Sequence, residues 1–187
     1  MARWFWFFVF YSFLGYLLEK GYARSTRSPR QVRKCFLLLP LCPVYGLAMC
    51  AVTAVVPAGG AGIVTPVGGA VVCTGVEYLV HLFYDRALGV RFWDYSDLRG
   101  NLAGRVCLRF SMIWGVLAWG AVVWVQPVAD DLLTRLPLPA LYALWLVLAA
   151  DGVLSAGVLI GQGDTELLSL TALLSQERAS SQSRTSR

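Results

Sequence analysis

Runs of roughly 20 apolar residues, the length needed to cross a bilayer, recur along this 187-residue chain. They extend from Trp4 to Tyr22, Cys35 to Val56, Ile63 to Tyr84, Val106 to Gln126 and Leu138 to Ile160. What separates them constrains the fold most. The first connection carries Arg24, Arg27, Arg30, Arg33 and Lys34, and the second, PAGGAG, carries no charge. The third carries Arg86, Arg91, Arg99 and Arg105. The fourth, PVADDLLTRLP, has Arg135 alone, and the tail has Arg178, Arg184 and Arg187. Positive loops stay on the cytoplasmic side of a membrane. The alternation therefore predicts an all-α membrane protein, a bundle of about five transmembrane helices with the N-terminus outside and the C-terminus cytoplasmic. Four or six spans would break it.

Composition agrees. Hydrophobic residues make up 57% of the chain and charged residues 14%, against about 25% charged in a soluble domain. Mean hydropathy is +0.61. The net charge of +5 sits at the borders of apolar runs. This suits topology and lipid headgroups, so the partner expected is the lipid bilayer and not nucleic acid. The N-terminal run follows only Arg3 and ends in no small-residue cleavage site, so it reads as a retained span. Residues 1–175 form a single polytopic domain in this reading, and the Ser/Arg-rich residues 176–187 a disordered cytoplasmic tail. Asp164 suits the cap of a short helix through Leu174 on the membrane surface. The second run is the weakest, because Pro40 and Pro43 break its start; a tilted, kinked or partly re-entrant element fits there. Gly157 and Gly161 form a GxxxG, which serves dimerisation and internal packing equally.

Ionisable residues inside spans are costly, by about 2.5–3.5 kcal/mol at the centre on insertion scales. Glu19, Glu77, His81, Arg109 and Asp151 fall inside these runs. Glu77 and His81 are four residues apart and share a helix face, continued by Asp85; Arg105 and Arg109 are likewise four apart. With a rise of about 1.5 Å per residue, Glu77 lies roughly 10 Å and Arg109 roughly 5 Å inside their spans, so facing acid and base ladders are predicted. Two arrangements satisfy them. Glu77 and Arg109 can brace two helices while Arg109 snorkels, or Glu19, Glu77, His81, Arg105 and Arg109 can line a polar pocket for substrate or proton. Asp151 fits the same cavity or a local bond beside Gly152.

Two further stretches lie on the predicted inner side. In LPLCPVYG, Pro43 suits the first turn of a helix; a kinked start to the second span and a ligand site both fit. FWDYSD, residues 92–97, sets Trp93, Asp94, Tyr95 and Ser96 among arginines. Trp and Tyr favour the headgroup level, and the acids suit a turn or ion pairs. The prediction is an ordered cytoplasmic loop folding over the inward ends of the spans. The five cysteines show no CxxC and no Cys/His cluster, so no disulfide framework and no metal are expected. Ser96 with Asp94 and Asp97 has no His nearby in sequence, and no HExxH occurs. No catalytic set and no cofactor are expected.

The stretches YSFLGYLLE (11–19), FLLLPLCPVYG (36–46), VEYLVHLFYDRALGVRFWDYSD (76–97) and NLAGRVCLRFSMIWG (101–115) together resemble the bacterial family known as putative ABC-transporter type IV. The resemblance covers about residues 5–127. It departs at Leu39, where the family usually has Gly-x or Gly-Pro before Leu-Cys-Pro, and at Arg33-Lys34-Cys35, where Asn-Arg-Gly is common. It implies a multi-pass protein of the bacterial cytoplasmic (inner) membrane, a permease-type subunit with a substrate it does not specify. Matching positions implied to matter are Glu19, Glu77, Trp93, Asp94, Tyr95, Ser96, Asn101, Gly104 and Arg105. The chain has no GxxxxGK[ST], so an ATP-driven system needs a separate ATPase subunit; five spans also suit a homo-oligomer. The alternative is a non-transport membrane factor that binds lipid headgroups or assists another membrane protein.

Overall fold

A computed structural model describes residues 2–26, 35–56, 62–133 and 135–162. The basic cluster Arg27, Arg30, Arg33 and Lys34, most of PAGGAG, the Asp164 helix and the tail lie outside the described residues. Among the described residues, the regular secondary structure is helical apart from one two-stranded hairpin. Helix α1 spans Ala2–Ser25, α2 Pro43–Val55 and α3 Val64–Phe83, the last continuing into a π-helical turn, Tyr84–Leu88. Strands β1 (Asn101–Leu102) and β2 (Val106–Cys107) pair antiparallel. Helix α4 spans Leu108–Gly120, passes through a π-helical turn, Ala121–Val125, into α5 (Gln126–Leu133), and α6 spans Leu138–Gln162.

Among the described residues, three continuous helices are long and apolar enough to cross a membrane: Val64–Leu88, Leu108–Leu133 and Leu138–Gly161. The other two predicted spans differ for separate reasons. Helix α1 has the length, 24 residues, but Arg3, Glu19, Lys20 and Arg24 lower its hydropathy. Helix α2 has 13 residues, roughly 20 Å against a hydrocarbon core of about 30 Å. It starts at Pro43, which lacks the N–H that a first turn would leave without an intrahelical partner, because residues 35–42 are not helical.

That non-helical segment is packed rather than loose. Cys35, Leu37, Leu41 and Cys42 are buried, and Cys35 and Cys42 join Val80, Tyr84, Phe92 and Leu159 in one apolar cluster. A second cluster joins Trp6, Phe7, Tyr11, Met49, Val52, Cys73, Trp114 and Ala118 from α1–α4. Close approach rests on small residues. A Cβ on Gly69 would stand 2.5 Å from that of Ala118, and one on Gly115 would stand 2.6 Å from the Pro66 carbonyl oxygen. Glycine lets these helices touch along their backbones. Gly157 and Gly161 of the GxxxG meet nothing, so the motif does no internal packing among the described residues.

The expected loop from Pro127 onward is helix as far as Leu133. Proline inside a helix collides with the carbonyl four residues back, and the wider π turn before it accommodates Pro127. Tertiary contacts hold the extension: Ala129 and Leu133 are buried, Arg3 pairs with Asp130 at 2.7 Å, and the Tyr11 hydroxyl donates to Gln126 Oε1 at 2.7 Å.

Candidate functional site: an aromatic and acidic recess under the hairpin

The segment from Gly89 to Cys107 folds back over the ends of α3 and α4. Gly89, at φ +67, ends the π turn in the left-handed region. The chain then makes a tight polar turn. Asp94 Oδ1 accepts from the Ser96 amide at 2.9 Å and the Ser96 hydroxyl at 2.6 Å. These bonds hold the Asp94 carboxyl below its ordinary range. Asn101 ties the turn to the hairpin, donating to the Leu98 carbonyl at 2.7 Å and the Ser96 carbonyl at 3.1 Å while accepting from the Gly104 amide at 3.1 Å. The Gly104 carbonyl accepts from the Tyr95 amide at 2.8 Å. Gly104 has φ +67, and a Cβ there would stand 2.7 Å from Asp94 Oδ1. Both features require glycine.

This turn aims two aromatic side chains inward. The Tyr95 hydroxyl donates to Glu77 Oε1 at 3.1 Å. Its ring stacks on Phe110 with centroids 4.9 Å apart. Burial first, then the Glu77 charge, pushes the Tyr95 phenol well above its usual value. From the other side the Trp114 indole N–H donates to Glu77 Oε2 at 2.9 Å. Glu77, on α3 and 5% exposed, is thus held by two neutral aromatic donors. The Tyr45 ring lies 4.8 Å from that of Trp114, and its hydroxyl donates to Glu19 Oε1 at 2.9 Å. Gly15 leaves room for Tyr45, because a Cβ there would collide with the tyrosine's own Cβ and Cγ. Glu19, Tyr45, Glu77, Trp93, Tyr95 and Trp114 thereby wall one cavity of about 240 Å³.

A second network braces the roof. The Trp93 indole N–H donates to the Arg105 carbonyl at 3.0 Å. His81 Nε2 lies 3.0 Å from the Trp93 carbonyl oxygen, so that nitrogen carries the proton. Asp85 takes Arg105 at 3.0 Å and Arg91 at 2.9 Å. The Arg105 guanidinium also sits 5.5 Å from the centre of the Tyr78 ring.

The predicted ladders form only in part. Asp85 pairs with Arg105, but Glu77 meets no arginine. Arg109 is exposed, and no ion pair to it occurs among the described residues. The reason is local: α4 begins at Leu108 and Arg105 lies in the hairpin, so Arg105 and Arg109 do not share a helix face. Asp94, Ser96 and Asn101 build the outer turn rather than the cavity wall. The Ser96 hydroxyl bonds Asp94, while His81 bonds the Trp93 backbone. Asp151 takes neither predicted role. Its two carboxylate oxygens accept from the Leu38 and Leu39 amides at 3.1 Å each, and Ser155 Oγ accepts from Leu38 at 3.2 Å. It anchors the segment that ends at Cys42, one of the residues lining the cavity. Tyr45, Phe110 and Trp114 were not singled out from sequence. Their rings look like ordinary apolar content, and only contact with Glu19 and Glu77 marks them.

No curated protein and no solved structure matches the chain. One family model does, over residues 6–156, a span that takes in every residue lining the cavity. By that match the chain belongs to the family described as Putative ABC-transporter type IV.

Proposed function

We infer that this chain is a membrane-embedded permease-type subunit of a transport system, and that the cavity beneath the hairpin is its polar recess. The observation that carries the reading is the pair Glu19 and Glu77. Both carboxylates wall a cavity between helices, and none of the described residues lining it is basic. A carboxylate that served only to brace helices would be expected to take an arginine, and Arg105 takes Asp85 instead. Intramembrane acids facing an internal cavity mark a substrate or ion path. The family match supports a transport-related protein of the membrane.

In this reading five helical elements sit in the bacterial cytoplasmic membrane, with α2 short and its preceding segment tucked against α6. The basic connections, the hairpin and the tail face the cytoplasm. The chain carries no nucleotide-binding motif, so the energy source is a separate ATPase docking on that basic face, and a homo-oligomer completes the pathway. The test is reconstitution of the chain in liposomes with an ATPase that co-purifies with it. ATP hydrolysis should rise when the chain is present, and Glu77→Gln should lower that stimulation about tenfold, as for loss of one charged hydrogen-bonding partner. If no ATPase co-purifies and Glu77→Gln leaves every measured flux unchanged, the transport reading fails.

A further inference from the structure

The cavity does not stand alone. An apolar groove of about 790 Å³ runs between α1 and α4, and it shares Leu18, Tyr22, Tyr45, Trp114 and Leu117 with the cavity. Leu14, Leu17, Ala121, Trp124 and Val125 continue it away from the acids. Leu17, Leu18 and Trp124 are exposed, so the groove opens sideways, where the bilayer would lie. Along α1 it runs from Tyr22 to Tyr11, and along α4 and the π-helical turn after it from Trp114 to Val125. At about 1.5 Å per residue that is roughly 16 Å, half of a hydrocarbon core of about 30 Å.

The two ends differ in chemistry. At the cavity end stand the carboxylates of Glu19 and Glu77 and the rings of Tyr22, Tyr45, Trp93 and Trp114. None of the described residues lining the cavity is basic; Lys20 lies 5.3 Å from the centre of the Tyr16 ring, and Arg105 pairs with Asp85. Two acids do not make a metal cage, and no group of three or more His, Cys, Asp or Glu that could hold a metal ion occurs among the described residues. A cavity walled by two carboxylates and several aromatic rings suits an organic ammonium group, whose charge the carboxylates neutralise and whose alkyl surface the rings cover. The cavity also has room for several water volumes of about 30 Å³ each, enough for a methylated head. At the groove end nothing but aliphatic and aromatic surface continues.

Resting on the reading above, we propose that the substrate class is a membrane-partitioned alkylammonium amphiphile. Its cationic head sits between Glu19 and Glu77 in the aromatic cavity, and its chain lies in the α1–α4 groove, entering laterally from the bilayer. Head and chain are recognised by separate residues, so each can be removed by itself. Glu19→Gln keeps the size of the side chain and removes its charge. Gly21 lines the groove, and an added Cβ there meets nothing, so Gly21→Phe introduces a ring at the groove from an open backbone position.

The experiment is equilibrium binding of radiolabelled dodecyltrimethylammonium to the full chain in neutral maltoside micelles. Dodecyl sulfate and tetramethylammonium serve as competitors. Saturable binding is expected, displaced by tetramethylammonium at higher concentration and not by dodecyl sulfate. Glu19→Gln should weaken it about ten- to a hundredfold, the range for losing one charged contact. Gly21→Phe should weaken the dodecyl compound and leave tetramethylammonium competition unchanged. Tyr22→Leu, an exposed ring at the junction, gives a second variant that does not test the buried network. Equal displacement by dodecyl sulfate, or unchanged binding in both Glu19→Gln and Tyr22→Leu, would overturn the proposal. The assay uses neither ATP nor flux. Failure to bind removes this ligand class and leaves the transport reading to its own test, while binding without any ATPase coupling removes transport and leaves the ligand class.

Discussion

Asp151 offers the sharpest check on the packing beneath the cavity. Its carboxylate accepts from the amides of Leu38 and Leu39, at 3.1 Å each, and is 7% exposed. Hydrogen bonds to a charged group contribute about 1.5–3 kcal/mol each. The Leu38 bond is worth less than that here, because Ser155 Oγ also accepts from Leu38 at 3.2 Å. Asp151→Ala should therefore ease detachment of residues 35–42 from α6 by about 2–4 kcal/mol. Local opening of this kind can be read without unfolding the protein. Cys35 and Cys42 are each 1% exposed and flank the segment, whereas Cys73, at 0%, lies in the other cluster. Maleimide labelling of Cys35 and Cys42, followed by mass spectrometry, should accelerate about thirty- to several hundredfold at roughly 1.4 kcal/mol per factor of ten. Cys73 should label at its original rate. Ser155→Ala should change the rate by less than tenfold, since an alternative acceptor remains. Unchanged labelling in Asp151→Ala would refute the anchoring role. Equal acceleration at Cys73 would show that the residue supports the whole bundle rather than this segment.

Two further outcomes concern the hairpin. Gly104→Ala should cost about 1–2 kcal/mol for the left-handed backbone alone, with more from the clash at Asp94; faster hydrogen exchange at the Ser96 and Tyr95 amides, with α6 unaffected, would be the signature. The Asp94 carboxyl is held below its ordinary range, chiefly by the Ser96 hydroxyl and then by its amide. A depressed carboxylate stabilises above the unfolded value, about 3.9, and the effect is lost as pH falls through the lower folded value. Protection of the Ser96 amide should therefore persist through pH 5 and fall only below about pH 4, and Asp94→Asn should abolish that dependence; protection already lost at pH 5–6 in the native chain would refute this.

The linear chain determined that this is a helical membrane protein, because runs of apolar residues carry their meaning in length and composition alone. It also marked FWDYSD and Glu77 as out of place in such surroundings, because a charge or a crowded polar turn beside a span needs a partner wherever it ends up. The partners themselves were decided only by the tertiary structure. Four-residue spacing implied that Arg105 and Arg109 share a face, but the hairpin interrupts the helix between them, so one braces Asp85 and the other is exposed. Asp151 lies more than a hundred residues from the amides it holds, and no local pattern encodes that bond. Trp114 and Tyr45 read as apolar bulk until the packing of α1, α2, α3 and α4 brought their polar edges to Glu77 and Glu19. Hydrophobic length is a property of a segment, whereas a hydrogen bond is a property of two atoms, and only close packing brings those two atoms together.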